Sequence, residues 1–123
     1  MAEHNDFGNI AEDLAADFLS KKGYTILVRN FRWQKAEIDI IAEFENQVII
    51  IEVKARATDI FIEPQEAVSK KKIKLIVSAA NEFMNQNNRE NEVRFDIISI
   101  LRDETGKLQT THIENAFESI DAN

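Results

Sequence analysis

Two carboxylates and an amine interrupt the most apolar part of this chain. The segment Ala36-Glu37-Ile38-Asp39-Ile40-Ile41 is followed by Ile49-Ile50-Ile51-Glu52-Val53-Lys54. Both read as β-strands, whose successive side chains take opposite faces. Glu37 and Asp39 then share one face, with Ile38 and Ile40 on the other. Glu52 and Lys54 share a face too. If the strands pair as a hairpin, Asp39 and Glu52 become neighbours. Carboxylates that close repel, and one is driven toward its protonated form unless a cation neutralises them. Mg2+ (or Mn2+) would suit, because magnesium commonly takes one or two carboxylates plus waters and substrate phosphate. An ammonium at Lys54, on the same face, could orient or deprotonate a water, or stabilise charge on a phosphate. The competing arrangement is a salt-bridged sheet edge, with Glu52 pairing to Lys54 or Arg56 and Asp39 facing water. Carboxylates inside isoleucine runs cost stability unless paired or metal-bound. That cost brings the two readings level.

Glu12 is a third candidate, on the flank of an N-terminal helix beside Gly8, Ala15 and Ala16. Those small residues would let the helix approach other backbone closely. The alternative is a solvent-facing glutamate. Lys70, Lys71, Lys72 and Lys74 cluster at the start of a second helix, where cations oppose the helix dipole. A phosphate bound there would reconcile them, and a solvated face is the alternative. Trp33, beside Phe31 and Arg32, could stack on a base or simply pack. His4 and His112 fit no metal or triad spacing. Gly-rich phosphate loops and a G-x-S-x-G elbow are absent from the sequence.

These residues need elements to position them. Phe7, Ile10, Ala11, Leu14, Phe18 and Leu19 recur at helical spacing over residues 7–20. Gly23 after Lys21-Lys22 is a stop signal. Three strands follow, at Tyr24–Asn30, Glu37–Glu43 and Val48–Lys54, the last two joined tightly near Asn46-Gln47. The β-branched run Val48–Ile51 suits a strand covered on both faces. A second helix is expected over Ser69–Gln86, with Ile73, Ile76, Val77, Ala80, Phe83 and Met84 as its buried stripe. Ser69 would cap it, although a start at Pro64 is open. Strands at Glu92–Leu101 and Lys107–Glu114 flank a turn at Asp103-Glu104-Thr105-Gly106, and a short helical turn could end the chain. The order α-β-β-β-α-β-β predicts an α/β fold, one mixed β-sheet flanked by helices. The long second helix would be the crossover of a parallel strand pair.

The chain's 123 residues are one domain's worth, with no linker or repeat, so residues 1–123 are expected to fold as a single unit. The absence of cysteine excludes disulfides, thiolate zinc sites and a cysteine nucleophile. No stretch of about 20 apolar residues is present to span a membrane. The polar, acidic N-terminus is unlike a secretory signal, so a cytoplasmic protein is expected. A net charge of −7 excludes a chain-wide positive field. The charge falls in blocks. Residues 21–36 hold five bases and no acid, residues 37–52 five acids and no base, and residues 67–80 four lysines and no acid. Such blocks are either solvated faces or an acidic centre flanked by cationic patches.

Taken in order, Gly8, Glu12, Ala15, Gly23-Tyr24, Arg29-Asn30, Glu37-Ile38-Asp39, Glu52-Val53-Lys54-x-Arg56, Glu66-Ala67-Val68 and Arg94-Phe95-Asp96 resemble the small bacterial YraN-type endonuclease-like proteins. That family is placed in the PD-(D/E)XK nuclease superfamily, near the archaeal Holliday-junction resolvases. The resemblance runs from about residue 8 to residue 100. It implies a restriction-endonuclease-like core and magnesium-dependent hydrolysis of phosphodiesters. Asp39 and Glu52 would hold the metal, helped by the Val53 carbonyl. Lys54 would act on the attacking water, and Glu12 would complete the site. Arg29, Arg32, Lys35, Arg56, Lys70, Lys71 and Lys72 are the candidate nucleic-acid contacts. The family usually has glycine where this chain has Ala11 and Ala36. The expected substrate is branched, flapped or single-stranded DNA. A non-catalytic nucleic-acid-binding or recruitment module is the alternative, and a homodimer is open, since junction substrates are two-fold symmetric. Glu37, Glu66 and Asp96 receive no role.

Overall fold

The computed structural model describes residues 4–57 and 68–122. The order is α1 (His4–Lys21), β1 (Thr25–Trp33), β2 (Ala36–Phe44), β3 (Gln47–Ala57), α2 (Lys70–Gln86), β4 (Glu92–Arg102) and β5 (Leu108–Phe117), then a 3-10 turn at Ser119–Ala122. The strands form one sheet in the order β1-β2-β3-β4-β5. β3 and β4 run parallel, as the α2 crossover requires, and the other neighbours are antiparallel. The mixed α/β architecture expected from the sequence is therefore present.

Local chemistry sets the boundaries. Gly23 takes a left-handed φ of +95°, and the Tyr24 N–H reaches back to the Leu19 carbonyl at 3.0 Å, closing α1. Glu45 and Asn46 both have positive φ, 49° and 66°. They form the tight two-residue turn that aligns β2 with β3. Ser69 caps α2 by accepting the Lys72 N–H at 3.1 Å. The alternative start at Pro64 lies outside the described residues.

Each sheet face carries one helix. Under α1, Ala11, Ala15 and Leu19 meet Ile40, Ala42, Ile49, Ile51, Ile98 and Ile100. Under α2, Ile73, Ile76, Ala80 and Phe83 meet Ile41, Val48, Ile50, Phe95 and Ile97. Val48–Ile51 is thus covered on both faces, and each buried isoleucine contributes about 1.5–3 kcal/mol. Ile10, expected in the α1 stripe, is 49% exposed. The contact face centres instead on Ala11 and Ala15, whose small side chains bring the helix close to the sheet. Gly8 is exposed, and a Cβ there would meet open space among the described residues. On α2, Ala79 is buried where Val77 was expected, and Val77 lies on the margin. Ala11 and Ala36 are buried and neither has a positive φ. The backbone at both positions therefore suits alanine as well as glycine.

One strand expectation fails at an informative place. Ile38 and Ile40 were expected on one face. Ile38 instead packs beneath α2 and Ile40 beneath α1. The cause lies in β1, which continues past Asn30 to Trp33. Asn30 has a left-handed φ of 56°. Register places it opposite Asp39, between the pairs Arg29↔Ile40 and Phe31↔Ile38. The kink interrupts face alternation in both strands, and asparagine tolerates that conformation better than most residues.

Candidate active site

β2 and β3 part company at Asp39. Their ladder ends at Ile40↔Ile51, so the next facing residues are Asp39 and Glu52. Among the described residues, β2 continues beyond that point only beside β1, and β3 only beside β4. The Asp39 side chain takes over where the backbone ladder stops, since its Oδ2 accepts the Val53 N–H at 2.8 Å. Within a strand, a residue's N–H and C=O point to the same edge. The Val53 carbonyl therefore faces the fork as well.

The fork opens into a cleft of about 340 Å³. Asp39, Glu37 and Lys35 line it from β2 and its turn, Glu52 from β3, and Lys71 and Lys72 from the first turn of α2. Glu52 is only 2% exposed. Its Oε2 pairs with Lys72 Nζ at 2.8 Å and lies 3.9 Å from Lys54 Nζ. Its Oε1 is buried with no hydrogen-bond partner among the described residues.

The electrostatics follow from that crowding. Burial, then the neighbouring Glu52 charge, push the Asp39 carboxyl up to about 7, against the lowering effect of the Val53 N–H. Burial, then the adjacent Lys72 ammonium, hold the Lys54 amine below its ordinary value. Burial is the largest influence on Lys72 and works against its charge, but the bond to Glu52, the Glu52 charge and smaller contributions from Lys54 and Asp39 together outweigh it and raise the amine. Asp39, Glu52 and Lys54 thus converge, as the strand pattern implied. Lys72, expected as a surface phosphate contact, is instead the closest partner of Glu52.

An orphaned, buried carboxylate oxygen beside a second carboxylate is where a divalent cation would be stabilised. Among the described residues no three acids or histidines stand close enough to hold a metal by themselves. Asp39, Glu52 and the Val53 carbonyl would supply part of a shell, leaving waters and substrate oxygens to complete it. That donor set fits magnesium or manganese better than zinc.

Glu12 comes near enough for its charge to act on Asp39, yet its carboxylate is already engaged. Its Oε1 accepts from Arg29 at 3.0 and 3.2 Å and from Asn30 Nδ2 at 3.0 Å. Arg29 also binds Asp13 at 2.7 Å. Arg29, expected to contact nucleic acid, is therefore a clamp between α1 and the kinked strand. Asn30 is the residue that spacing arguments missed. Its signal was an asparagine at the end of the strand-like run Tyr24–Asn30. Arg56 is buried, 8% exposed, and does not stand on an open surface. Arg32 is exposed and 3.5 Å from Glu37. Lys35, Lys70 and Lys71 are exposed around the cleft mouth or the adjoining helix start. Trp33 and Phe31 pack on the α2-side core. Glu66 lies outside the described residues.

Asp96 and His112 acquire a place that spacing could not assign. Asp96 is fully buried and accepts from Arg94 at 2.8 and 2.9 Å, from the Asn115 N–H at 2.9 Å, and pairs with His112 Nε2 at 2.7 Å. Lys22 Nζ lies 2.9 Å from His112 Nδ1. An ammonium can only donate, which leaves Nε2 as the protonated nitrogen facing Asp96. Arg94 also donates to the Tyr24 hydroxyl at 2.7 Å. Asp96 lies beside Ile51, on the α1 side of the sheet. The network ties the end of α1 to β4 and β5, on the face away from the cleft.

Fold and site together define a mixed α/β protein whose central sheet forks around a buried glutamate and a half-buried aspartate with two attendant lysines. The chain belongs to the family described as Uncharacterised protein family UPF0102, whose profile matches residues 11–100. It is 50% identical over 117 residues to a UPF0102 protein of Flavobacterium psychrophilum, covering 95% of this chain and 98% of that one. A UPF0102 protein of Christiangramia forsetii is 45% identical over 95% of this chain and 98% of its own length. One from Parabacteroides distasonis is 44% identical over 95% and 96%. No helix among the described residues is long and apolar enough to cross a membrane.

Proposed function

We propose that this protein is a divalent-metal-dependent phosphodiesterase of the PD-(D/E)XK type, with a restriction-endonuclease-like core, acting on branched, flapped or single-stranded DNA. The observation that supports it most is the meeting of Asp39, Glu52 and Lys54 at the strand fork, with one buried Glu52 oxygen left unpartnered among the described residues. Asp39, Glu52 and the Val53 carbonyl would hold Mg2+ or Mn2+. Once bound, the ion would offset phosphate charge and make a bound water more acidic.

The remaining work falls to the chain's own groups. Lys54, with its ammonium destabilised by burial and by Lys72, is suited to orient the attacking water and take its proton. Lys35 and Lys71 at the cleft would hold flanking phosphates, with Arg32 and Lys70 further out. Asn30 and Arg29 fix Glu12 and the kink, and so keep Asp39 turned toward Glu52.

The test is cleavage of a panel of branched, flapped and single-stranded DNA with Mg2+ or Mn2+. Wild type should cut, while Asp39→Ala and Lys54→Ala should be inactive yet folded. Equal cutting by all three would identify a contaminating nuclease and remove the basis for the proposal.

A second reading has one observation in its favour. The carboxylates of Glu12 and Glu52 are both held by cationic side chains, an arrangement that also suits a non-catalytic DNA-binding or recruitment module. DNA binding that survives Asp39→Ala, with no turnover on the panel, would select it.

A further inference from the structure

We propose that Lys72 is a displaceable counter-ion of this site, holding Glu52 until a divalent cation takes its place and then turning to a phosphate in the cleft. The inference rests on the metal reading above and adds a competing group to it.

The geometry distinguishes the two lysines. Lys54 belongs to the same strand as Glu52, has a side chain only 19% exposed, and stays 3.9 Å from Oε2. Lys72 comes from another element and is nearer, at 2.8 Å. Its side chain is 43% exposed, so its outer atoms have open cleft to move into. The backbone beneath it is fixed, because the Lys72 N–H is bound to the Ser69 hydroxyl at 3.1 Å. Movement is therefore confined to the side chain.

Charge supplies the reason to move. An ammonium touching Glu52 and a divalent cation on the same carboxylate repel strongly in a half-buried site. The first turn of α2 has no acidic residue to hold Lys72 elsewhere. A phosphate at that helix start is the natural second partner, favoured by the helix dipole and by Lys71 beside it. Linkage then makes the effect mutual. A phosphate that engages Lys72 frees Glu52 and strengthens cation binding, and a bound cation releases Lys72 for the phosphate.

The experiment is calorimetric titration of Mn2+ alone into wild type, Lys72→Met, Lys72→Gln, Lys71→Met and Asp39→Asn at low salt. Removing the competing charge should tighten Mn2+ binding about tenfold or more in both Lys72 variants. Lys71→Met should change it by less than about threefold, since it removes no contact with Glu52. Mn2+ should also raise the melting temperature of the Lys72 variants more than that of wild type, a readout independent of cleavage. Mn2+ binding by wild type that is unchanged or weaker in both Lys72 variants would overturn the counter-ion role and leave the metal site standing. Absence of binding in every variant would overturn the metal reading, and this inference with it.

Discussion

The carboxylate of Asp39 accepts the backbone N–H of Val53 at 2.8 Å, at the point where β2 and β3 separate. One side chain thereby ends a ladder, faces Glu52, and shares an edge with the Val53 carbonyl. The fold and the candidate chemistry meet in this single contact.

Its first consequence is a pH-dependent stability of the metal-free protein. The Asp39 carboxyl is pushed up to about 7 in the folded chain, from 3.8. A folded-state value above the unfolded one means that the native protein keeps a proton the unfolded chain has lost. The associated stability is fully present below about pH 4 and disappears as pH rises through about 7, by on the order of 3–4 kcal/mol. Urea unfolding in EDTA at pH 5 and pH 8 captures most of it, about 2–3 kcal/mol. Asp39→Asn should flatten the difference and be the more stable protein at pH 8. An identical slope in both proteins would show that Asp39 is not the group responsible.

Replacing the amine tests the chemistry apart from the fold. Lys54→Met should lower cleavage by about 10²–10⁴-fold, the usual scale for a lost acid–base group. The melting temperature should stay within a few degrees, because the methionine retains much of the apolar stem. A large loss of stability with proportionate loss of cutting would assign Lys54 a structural role instead.

The Asp96 network predicts the opposite pattern. Burial alone would raise the Asp96 carboxyl, but His112, Arg94 and the Asn115 N–H outweigh it and hold it below its ordinary value. Asp96→Ala would leave the Arg94 charge without its buried partner, at a cost of about 3–5 kcal/mol. Denaturant unfolding should record that loss. Mn2+ affinity should be nearly unchanged at a temperature where the variant is folded, since Asp96 lies on the far side of the sheet. A variant that is fully stable but has lost metal binding would contradict this division.

Salt dependence reports how few cations face the ligand. Arg29 is committed to Glu12 and Asp13, and Arg56 is buried. That leaves Arg32, Lys35, Lys70 and Lys71 as the main contacts, joined by Lys72 once it leaves Glu52, so log affinity against log salt for DNA should have a moderate slope of about −3 to −4.5. Lys71→Ala should reduce its magnitude by about one. A slope several times steeper would require a basic surface elsewhere.

Much of this protein was legible in one dimension. The periodicity of Phe7–Leu19 and Ile73–Met84, the run Val48–Ile51 and the tight turn before it imply two helices and a hairpin, and the long α2 implies a parallel crossover. Those signals are local. They depend on each residue's neighbours in the chain and on the need to bury one face. Alternation even placed Glu52 and Lys54 together and made Asp39 a candidate neighbour of both. The fork has a weak local sign, since the strand-like run in the sequence that begins at Tyr24 ends at Asn30, the kinked position.

Tertiary structure decided which charges meet. Lys72 lies 20 positions from Glu52, and Arg29 lies 17 from Glu12. His112 lies 16 from Asp96. No periodicity links such pairs, because each is created by packing two elements whose relative rotation depends on the whole core. A shift of the α1 contact face from Ile10 to Ala11 and Ala15 changes what Glu12 can reach. Sequence determined the inventory of groups and the strands and helices that bear them. Only the packed sheet, with its ladder ending at Ile40↔Ile51, determined that a lysine from α2 closes on a glutamate from β3.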